Sequence, residues 1–280
     1  MCFYCDAYGD PEVAGGVWYL NPKNYARQMY KLRRKGEGFK SAEAGPESSA
    51  GLGPYKVVEA IEKGPQALLQ AITESQEELI RRGMLGQVVP IQEAEKIMDL
   101  CVPIGLIGCI CRRNYRGIEE TSENEYTCMG MGVGMLKWER WPERYKGGVK
   151  FVNPDEAKEW LHKCNRMGFV HCLMAFGAPF IGGFCQCDYP DCGLIRNRVD
   201  FGFGLMKSHF VAAVDYEKCN GCGVCVQRCQ FGALKFEVSI DKANIDRYKC
   251  FGCGLCETAC PRKAISLLNR MEVPALKEVW

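Results

Sequence analysis

The sequence has no apolar stretch long enough to cross a membrane. Its longest apolar run, Leu100 to Cys111, covers 12 residues and includes Pro103, whereas a membrane helix needs about 20 residues. The first residues, Met1 to Asp6, lack the basic and apolar regions of a secretion signal. We therefore expect a cytoplasmic chain without a membrane span.

Excess charge and the common catalytic patterns are also lacking. The formal net charge is +2, with three histidines, and the basic cluster at 31–35 is short, so charge gives no reason to expect a nucleic-acid partner. No Ser–His–Asp set or pair of carboxylates stands out. The glycines at 130–134 are not framed by a strand and a helix, as a phosphate-binding loop would be. These absences direct attention to the cysteines.

Cysteine is abundant, with 19 in 280 residues. In a reducing compartment, thiols bind metals more often than they form disulfides. Eight of them form two copies of the spacing C-x2-C-x2-C-x3-C, at Cys219, Cys222, Cys225 and Cys229 and again at Cys250, Cys253, Cys256 and Cys260. Glycines inside each copy tolerate positive φ, so the backbone can curl around a metal centre.

The two copies resemble the bacterial-type two-cluster ferredoxins. Pro261 follows the second copy as in that family, while Gln230 stands where proline usually follows the first. The resemblance implies two [4Fe–4S] clusters, each held by four cysteines. In that family the fourth cysteine of each copy ligates the cluster of the other copy. The implied ligand sets are Cys219, Cys222, Cys225 and Cys260 for one cluster and Cys250, Cys253, Cys256 and Cys229 for the other. The alternative is a pair of zinc sites, but zinc usually pairs two C-x2-C units.

Six further cysteines lie in the middle of the chain and form a second candidate metal centre. They are Cys109, Cys111, Cys128, Cys185, Cys187 and Cys192. A C-x-C pair in an extended segment places both thiolates on one side. Arg112 and Arg113 could offset the charge of a cluster, and the glycines at 130–134 would let backbone approach it. We favour a third Fe–S cluster, with a zinc site or free buried cysteines as alternatives.

The middle segment is also similar to a group of ferredoxin-fused iron–sulfur proteins from anaerobes. In that group a C-x-C-R segment, a downstream cysteine, a histidine after a helix and a Cys-rich block precede a two-cluster ferredoxin. The matching residues are Cys109, Cys111, Arg112, Cys128, His171 and the block from Cys185 to Cys192. The resemblance covers roughly residues 90–268, but 188–191 replaces several cysteines of the block.

The remaining cysteines and histidines have simpler interpretations. Cys2 and Cys5 form a lone C-x2-C, which is half a metal site, and we interpret them as free thiols unless they join a nearby or partner cluster. Free cysteine packs as a small apolar residue, which suits Cys101, Cys164 and Cys172. His171 follows two apolar residues and is more typical of a core histidine than of a ligand. We interpret the other two histidines, His162 and His209, as structural.

The predicted fold class is α+β, with a ferredoxin-like domain after a more helical module. The predicted domains are an N-terminal extension at 1–55, a mixed module at 56–205 in which helices outnumber strands, a dicluster domain at 206–268 and a tail at 269–280. Helices are predicted at 56–82, at 91–101 and from the N-cap Asn153 to Gly168, with strands at 169–174, 211–214 and 235–238.

From these features we expect an electron-transfer protein. It would relay single electrons as a subunit of a larger anaerobic oxidoreductase and would have no catalytic residue of its own. The apolar residues of the extension and the tail indicate docking surfaces for that partner. The alternatives are a redox-responsive regulator and a reductase whose catalytic centre is the middle cysteine group.

Overall fold

The computed structural model describes residues 2–22, 24, 62–67, 70, 74, 86–122, 125–132, 135, 148–175, 181–202 and 204–280. The helix predicted at 56–82 falls largely outside these residues, as does the basic cluster at 31–35. Helices with the length and hydrophobicity that a membrane crossing requires are absent from this described part of the chain.

A seven-stranded sheet with the order β4-β2-β3-β6-β5-β1-β7 organises the described part of the middle module. Its strands are β1 (Gly86–Val88), β2 (Ile104–Ile107), β3 (Cys128–Met131), β4 (Val149–Val152), β5 (Val170–Ala175), β6 (Ile181–Cys187) and β7 (Leu205–Met206). All neighbouring strands are antiparallel except β1 and β7, which are parallel.

The excess of helices over strands in the module at 56–205 stays a prediction, because the helical residues at 62, 65–67, 70, 74 and 135 belong to helices that are described only in part. Four helices of the module are described over their whole length, α2 (Ile91–Leu100), α3 (Ile110–Arg116), α4 (Pro154–Met167) and α5 (Gly193–Phe201). Strand β2 was not predicted from the sequence, because it is buried along its whole length. A strand buried on both faces lacks the alternation of polar and apolar residues by which strands are recognised.

Two of these helices follow the sequence signals closely. Helix α2 matches the helix predicted at 91–101. Helix α4 begins after Asn153, whose side chain accepts a hydrogen bond from the Glu156 amide at 2.9 Å, while the Glu156 carboxylate accepts one from the Asn153 amide at 2.8 Å. It ends at Gly168, which has a φ of 92°. Such a reciprocal cap satisfies two otherwise unpaired amides.

The two faces of the sheet differ in what they contact. Helices α2 and α4 pack with Leu173 and Phe184 in one apolar core. Cys172 lies on the opposite face. There it packs in a second apolar core with Ile195 of α5 and with Phe251 and Leu255 of the C-terminal region. Side chains alternate between faces along a strand, so the cysteines of β6 are directed toward the C-terminal region.

The C-terminal region repeats one unit. Two short helices, α6 (Val224–Arg228) and α7 (Leu255–Ala259), follow the two cysteine motifs, and the strands are β8 (Phe210–Val214), β9 (Leu234–Glu237), β10 (Lys242–Ile245) and β11 (Ile265–Asn269). Strand β8 pairs with β11 and β9 pairs with β10, both antiparallel. The strands predicted at 211–214 and 235–238 are confirmed within one residue. Strand β7 crosses the predicted domain boundary at 205/206.

Both described ends of the chain pack against its body. A short helix, α1 (Phe3–Tyr8), opens the chain, and Tyr4, Trp18 and Tyr19 are buried in the core beside α2 and α4. The Trp18 indole donates to Gln87 Oε1 on β1 at 2.9 Å. In the tail, Leu276 is also buried. These buried side chains stabilise the fold and are not available to a partner. The predicted docking role of the two ends therefore stays a prediction for the side chains there that are exposed.

Candidate metal centres

Each cysteine motif near the C-terminus forms a loop that leads into a single helical turn. Gly254 begins α7 with a φ of 78°. Gly252 also has a positive φ, 66°, and any side chain there would overlap the Phe210 carbonyl oxygen. Glycine at these positions lets the loop close around its cysteines.

Backbone amides point at the sulfurs in a repeated pattern. The Ala233 amide lies 3.3 Å from Cys229 Sγ, and the Ala264 amide lies 3.3 Å from Cys260 Sγ. The Ala212 amide donates to Cys250 Sγ at 3.4 Å. Hydrogen bonds to sulfur are one means by which a protein sets the potential of an Fe–S cluster.

The cysteines of the two motifs are interleaved in space. Burial raises the pKa of Cys225, and the charges of Cys219, Cys260 and Cys222 raise it further. Burial raises the pKa of Cys250, Cys253 and Cys256, and the charge of Cys229 also raises the pKa of all three. For Cys253 the pKa rises to about 12, so a bound cation is needed to keep it ionised at neutral pH. The fourth cysteine of each motif thus lies near the other motif's three; the ligation itself stays a prediction.

The middle cysteines come from four separate elements. Cys109 is the N-cap of α3, where its Sγ accepts from the Arg112 amide at 3.5 Å, and Cys111 lies in the first turn of that helix. The prediction that this C-x-C pair is extended is therefore wrong, because the cap turns the chain into a helix after Cys109. Cys185 and Cys187 lie on β6 and share one face, as predicted.

The six middle thiols are linked by pairwise contacts. Cys128 Sγ lies 4.0 Å from Cys185 Sγ. Cys109 forms hydrogen bonds with the thiols of Cys111, Cys128 and Cys187, and these bonds lower its pKa. Cys187 in turn shares a hydrogen bond with Cys192. The six thiols therefore form one connected group of candidate metal ligands; which metal they bind stays a prediction.

The aspartates that replace cysteines of the related block bind the arginines of α3. Arg112 donates to Asp188 at 2.7 Å, and Arg116 donates to Asp191 at 2.5 Å. Arg112 also lies 3.5 Å from Glu120, which accepts the Cys109 amide at 2.9 Å. These ion pairs hold α3 against the loop after β6. Arg112 also forms a hydrogen bond with the Cys187 thiol, and its role in offsetting the charge of a cluster stays a prediction.

Two residues that the sequence associated with the middle centre have other surroundings. His171 lies opposite Gln186 in the register of β5 and β6, whereas Cys172 lies opposite Cys185, so the imidazole is on the other face of the sheet from the cysteines. It is fully buried, and burial lowers its pKa to about 3. Gly130 makes room for Met135, which a side chain at that position would overlap. His171 is thus a neutral core residue, and Gly130 serves packing.

A further group of ligand-type atoms was missed by sequence reasoning. The sulfurs of Cys2 and Cys5 and a ring nitrogen of His209 all lie within 4.8 Å of one another. The sequence interpretation had them as free thiols and a structural histidine. Because 204 residues separate Cys5 from His209, no local spacing could have joined them.

Gln230 explains one departure from the ferredoxin pattern. Its amide nitrogen donates to the Gly168 carbonyl at 2.7 Å, and its amide oxygen accepts from the Tyr189 amide at 2.8 Å. Both partners belong to the middle module. Proline at this position could make neither bond, so Gln230 holds the first cysteine motif against that module.

Comparison with known proteins agrees with the C-terminal site. No curated protein matches the chain. The family described as 4Fe-4S dicluster domain matches residues 218–264, a segment that contains both cysteine motifs. Residues 218–264 are accordingly a 4Fe-4S ferredoxin-type domain, which supports a function in iron–sulfur electron transfer.

Proposed function

We propose that the protein relays single electrons as a subunit of a larger anaerobic oxidoreductase. Fe–S clusters supply one-electron carriers whose potentials depend on charge, hydrogen bonds and solvent exposure. Two [4Fe–4S] clusters are assigned to the dicluster domain, one on Cys219, Cys222, Cys225 and Cys260 and the other on Cys229, Cys250, Cys253 and Cys256. A third Fe–S centre is assigned to the six middle cysteines, and zinc is the alternative there.

The main support for the proposal is that the middle cysteines and the dicluster domain share one apolar core. Cys185, Cys187 and Cys192 share one apolar core with Cys253 of the dicluster domain. In that core the pKa of the Cys172 thiol is raised by burial and by the charges of Cys192, Cys185 and Cys253. Cys172 therefore lies within electrostatic range of both groups, and the core that they share suits electron exchange between centres held on them.

Exposure suggests where an electron leaves the chain. Cys250 and Cys256 are buried, whereas Cys222 is exposed. Beside the Cys222 loop lies the turn between β9 and β10, because the Asp241 backbone packs against Gly221. Val238 in this turn is 81% exposed. An apolar surface next to an exposed cluster ligand suits docking of a redox partner.

A catalytic role for the middle centre has less support. A cavity of about 710 Å³ opens beside α4, between Lys150, Trp160 and Lys163, and its described lining contains no cysteine. A substrate bound there would face polar side chains away from the thiol network. The relay therefore accounts for the cysteines better than the reductase does.

The relay is tested by a reductive titration of the anaerobically purified chain, followed by electron paramagnetic resonance. We expect about three electrons per chain, one for each cluster, and no turnover of an organic substrate by the chain alone. Uptake of about two electrons would remove the third cluster from the proposal. Unaided reduction of a substrate would overturn the relay in favour of the reductase.

The subunit role needs its own test with matched surface variants. A tagged chain is purified anaerobically from its native cells, and the co-purified redox enzyme is tested for oxidation of the reduced chain. Val238→Glu should weaken this complex and slow the electron transfer. Ile118→Glu, which changes an exposed apolar residue outside the dicluster domain, should leave both unchanged. A chain that stays monomeric and reduces no co-purified enzyme would contradict the subunit role.

A further inference from the structure

Cys2, Cys5 and His209 form a compact buried group outside the cysteine sets described above. Cys5 Sγ lies 3.0 Å from His209 Nε2, and all three ligand atoms lie within 4.8 Å of one another. Their exposures are 1%, 7% and 8%. Helix α1 brings the two thiols together, since the Cys5 amide donates to the Cys2 carbonyl at 2.9 Å.

A chain of hydrogen bonds orients the imidazole toward the thiols. The Tyr19 hydroxyl donates to the Glu93 carboxylate, and its oxygen lies 3.0 Å from His209 Nδ1. Because the hydroxyl hydrogen is used by Glu93, the tyrosine oxygen accepts from Nδ1–H. Nε2 is then left with its lone pair directed at the thiols. Histidine ligands are commonly held by such a partner on their other nitrogen.

We propose that Cys2, Cys5 and His209 bind one zinc ion. Two thiolates and a neutral imidazole balance the charge of a divalent cation, which lowers the cost of burying the group. Thiolate and imidazole are the ligands that zinc prefers, and three protein ligands with a water molecule make a known tetrahedral set. Binding releases the two thiol protons to solvent, and no oxidation or reduction is involved.

The ion would tie the N-terminal segment to the beginning of the dicluster domain. His209 directly precedes β8, and Arg270 Nε donates to the neighbouring Ser208 carbonyl at 3.0 Å. The same guanidinium donates to the Cys250 carbonyl at 2.9 Å. The site is therefore joined through backbone contacts to a loop that carries a candidate cluster ligand.

The test is metal analysis of the full chain, purified anaerobically after growth with added zinc. We expect about one zinc per chain, with a zinc X-ray absorption spectrum that fits two sulfur and one nitrogen neighbours at about 2.3 and 2.0–2.1 Å. Cys5→Ala and His209→Gln should each lose this zinc and keep the iron. Cys101→Ala, which changes another buried cysteine, should keep both.

Tyr19→Phe provides a variant that preserves the aromatic core. It should weaken zinc binding about 10- to 100-fold in a chelator competition, because the partner of His209 is removed, with no change in iron content. Zinc that persists in Cys5→Ala, or that is lost from Cys185→Ala instead, would overturn the site. A loss of about four irons in Cys5→Ala would also overturn it, since the two thiols would then ligate a cluster.

Discussion

Cys128 and Cys185 face each other across β3 and β6, with their sulfurs 4.0 Å apart. On the other side of β6, Cys172 of β5 lies opposite the same Cys185. Three neighbouring strands thus place three cysteines side by side on one face of the sheet. This row begins at the middle thiols and ends beside the dicluster domain. The number of metal atoms that the protein binds is therefore the first property to measure.

Iron analysis of the anaerobically purified protein should give about twelve atoms per chain, or about eight if the dicluster domain alone is filled, at four per cubane. Cys111→Ala and Cys185→Ala should each lower the value by about four, because each removes a thiol of the middle network. Cys164→Ala changes a buried cysteine of α4 and should leave the iron unchanged. About eight irons with zinc that is lost from Cys185→Ala would mean that the middle centre is a zinc site.

Cys229→Ala should damage the cluster held by Cys250, Cys253 and Cys256 and spare the one held by its own motif. The reason is position, because the charge of Cys229 acts on those three thiols. Electron paramagnetic resonance of the reduced variant should lose the coupling between the two clusters. Val226→Ala, on the same helical turn, is the control. An unchanged coupled spectrum in Cys229→Ala would rule out the crossed ligation.

Gln230→Ala should loosen the dicluster domain from the middle module. The substitution removes the hydrogen bonds to Gly168 and Tyr189, and we expect a loss of about 1–2 kcal/mol in the free energy of unfolding. Anaerobic thermal unfolding measures this as a lower melting temperature. Gln227→Ala removes an exposed glutamine of α6 and should have no such effect; equal melting temperatures for the two variants would contradict the anchoring role.

His171→Gln should reduce the acid sensitivity of the fold. Burial lowers the pKa of His171 from 6.5 to about 3 in the folded state, so between these values the unfolded chain binds a proton that the folded chain does not. Stability from this group is therefore present above the unfolded pKa and is lost as pH falls below it. The loss amounts to about 2 kcal/mol between about pH 7.5 and about pH 5.

The measurement is the melting temperature of wild type and His171→Gln over that pH range. The wild type should lose stability more steeply on acidification than the variant does. His162→Gln, at an exposed position of α4, should follow the wild type. Parallel curves for wild type and His171→Gln would show that the buried imidazole is not the acid-sensitive group.

Much of the candidate site was predictable from the sequence, because its signals are local. The two cysteine motifs each fit within 11 residues, and their spacing identified the segment that the dicluster family later matched. Helix α4 was predicted for a similar reason, since Asn153, Pro154 and Gly168 act within one turn of its ends. The paired C-x-C of β6 followed from the alternation of side chains along a strand.

Other features were decided by the tertiary structure alone. The seven-stranded sheet and the row of Cys128, Cys185 and Cys172 depend on which strand lies beside which. The bonds of Gln230 depend on how the C-terminal region packs against the middle module. His209 meets Cys5 across 204 residues, and His171 is separated from the cysteines by the side of the sheet on which it lies. Contacts of this kind arise from the packing of distant segments into a common core, and no spacing within the chain encodes them.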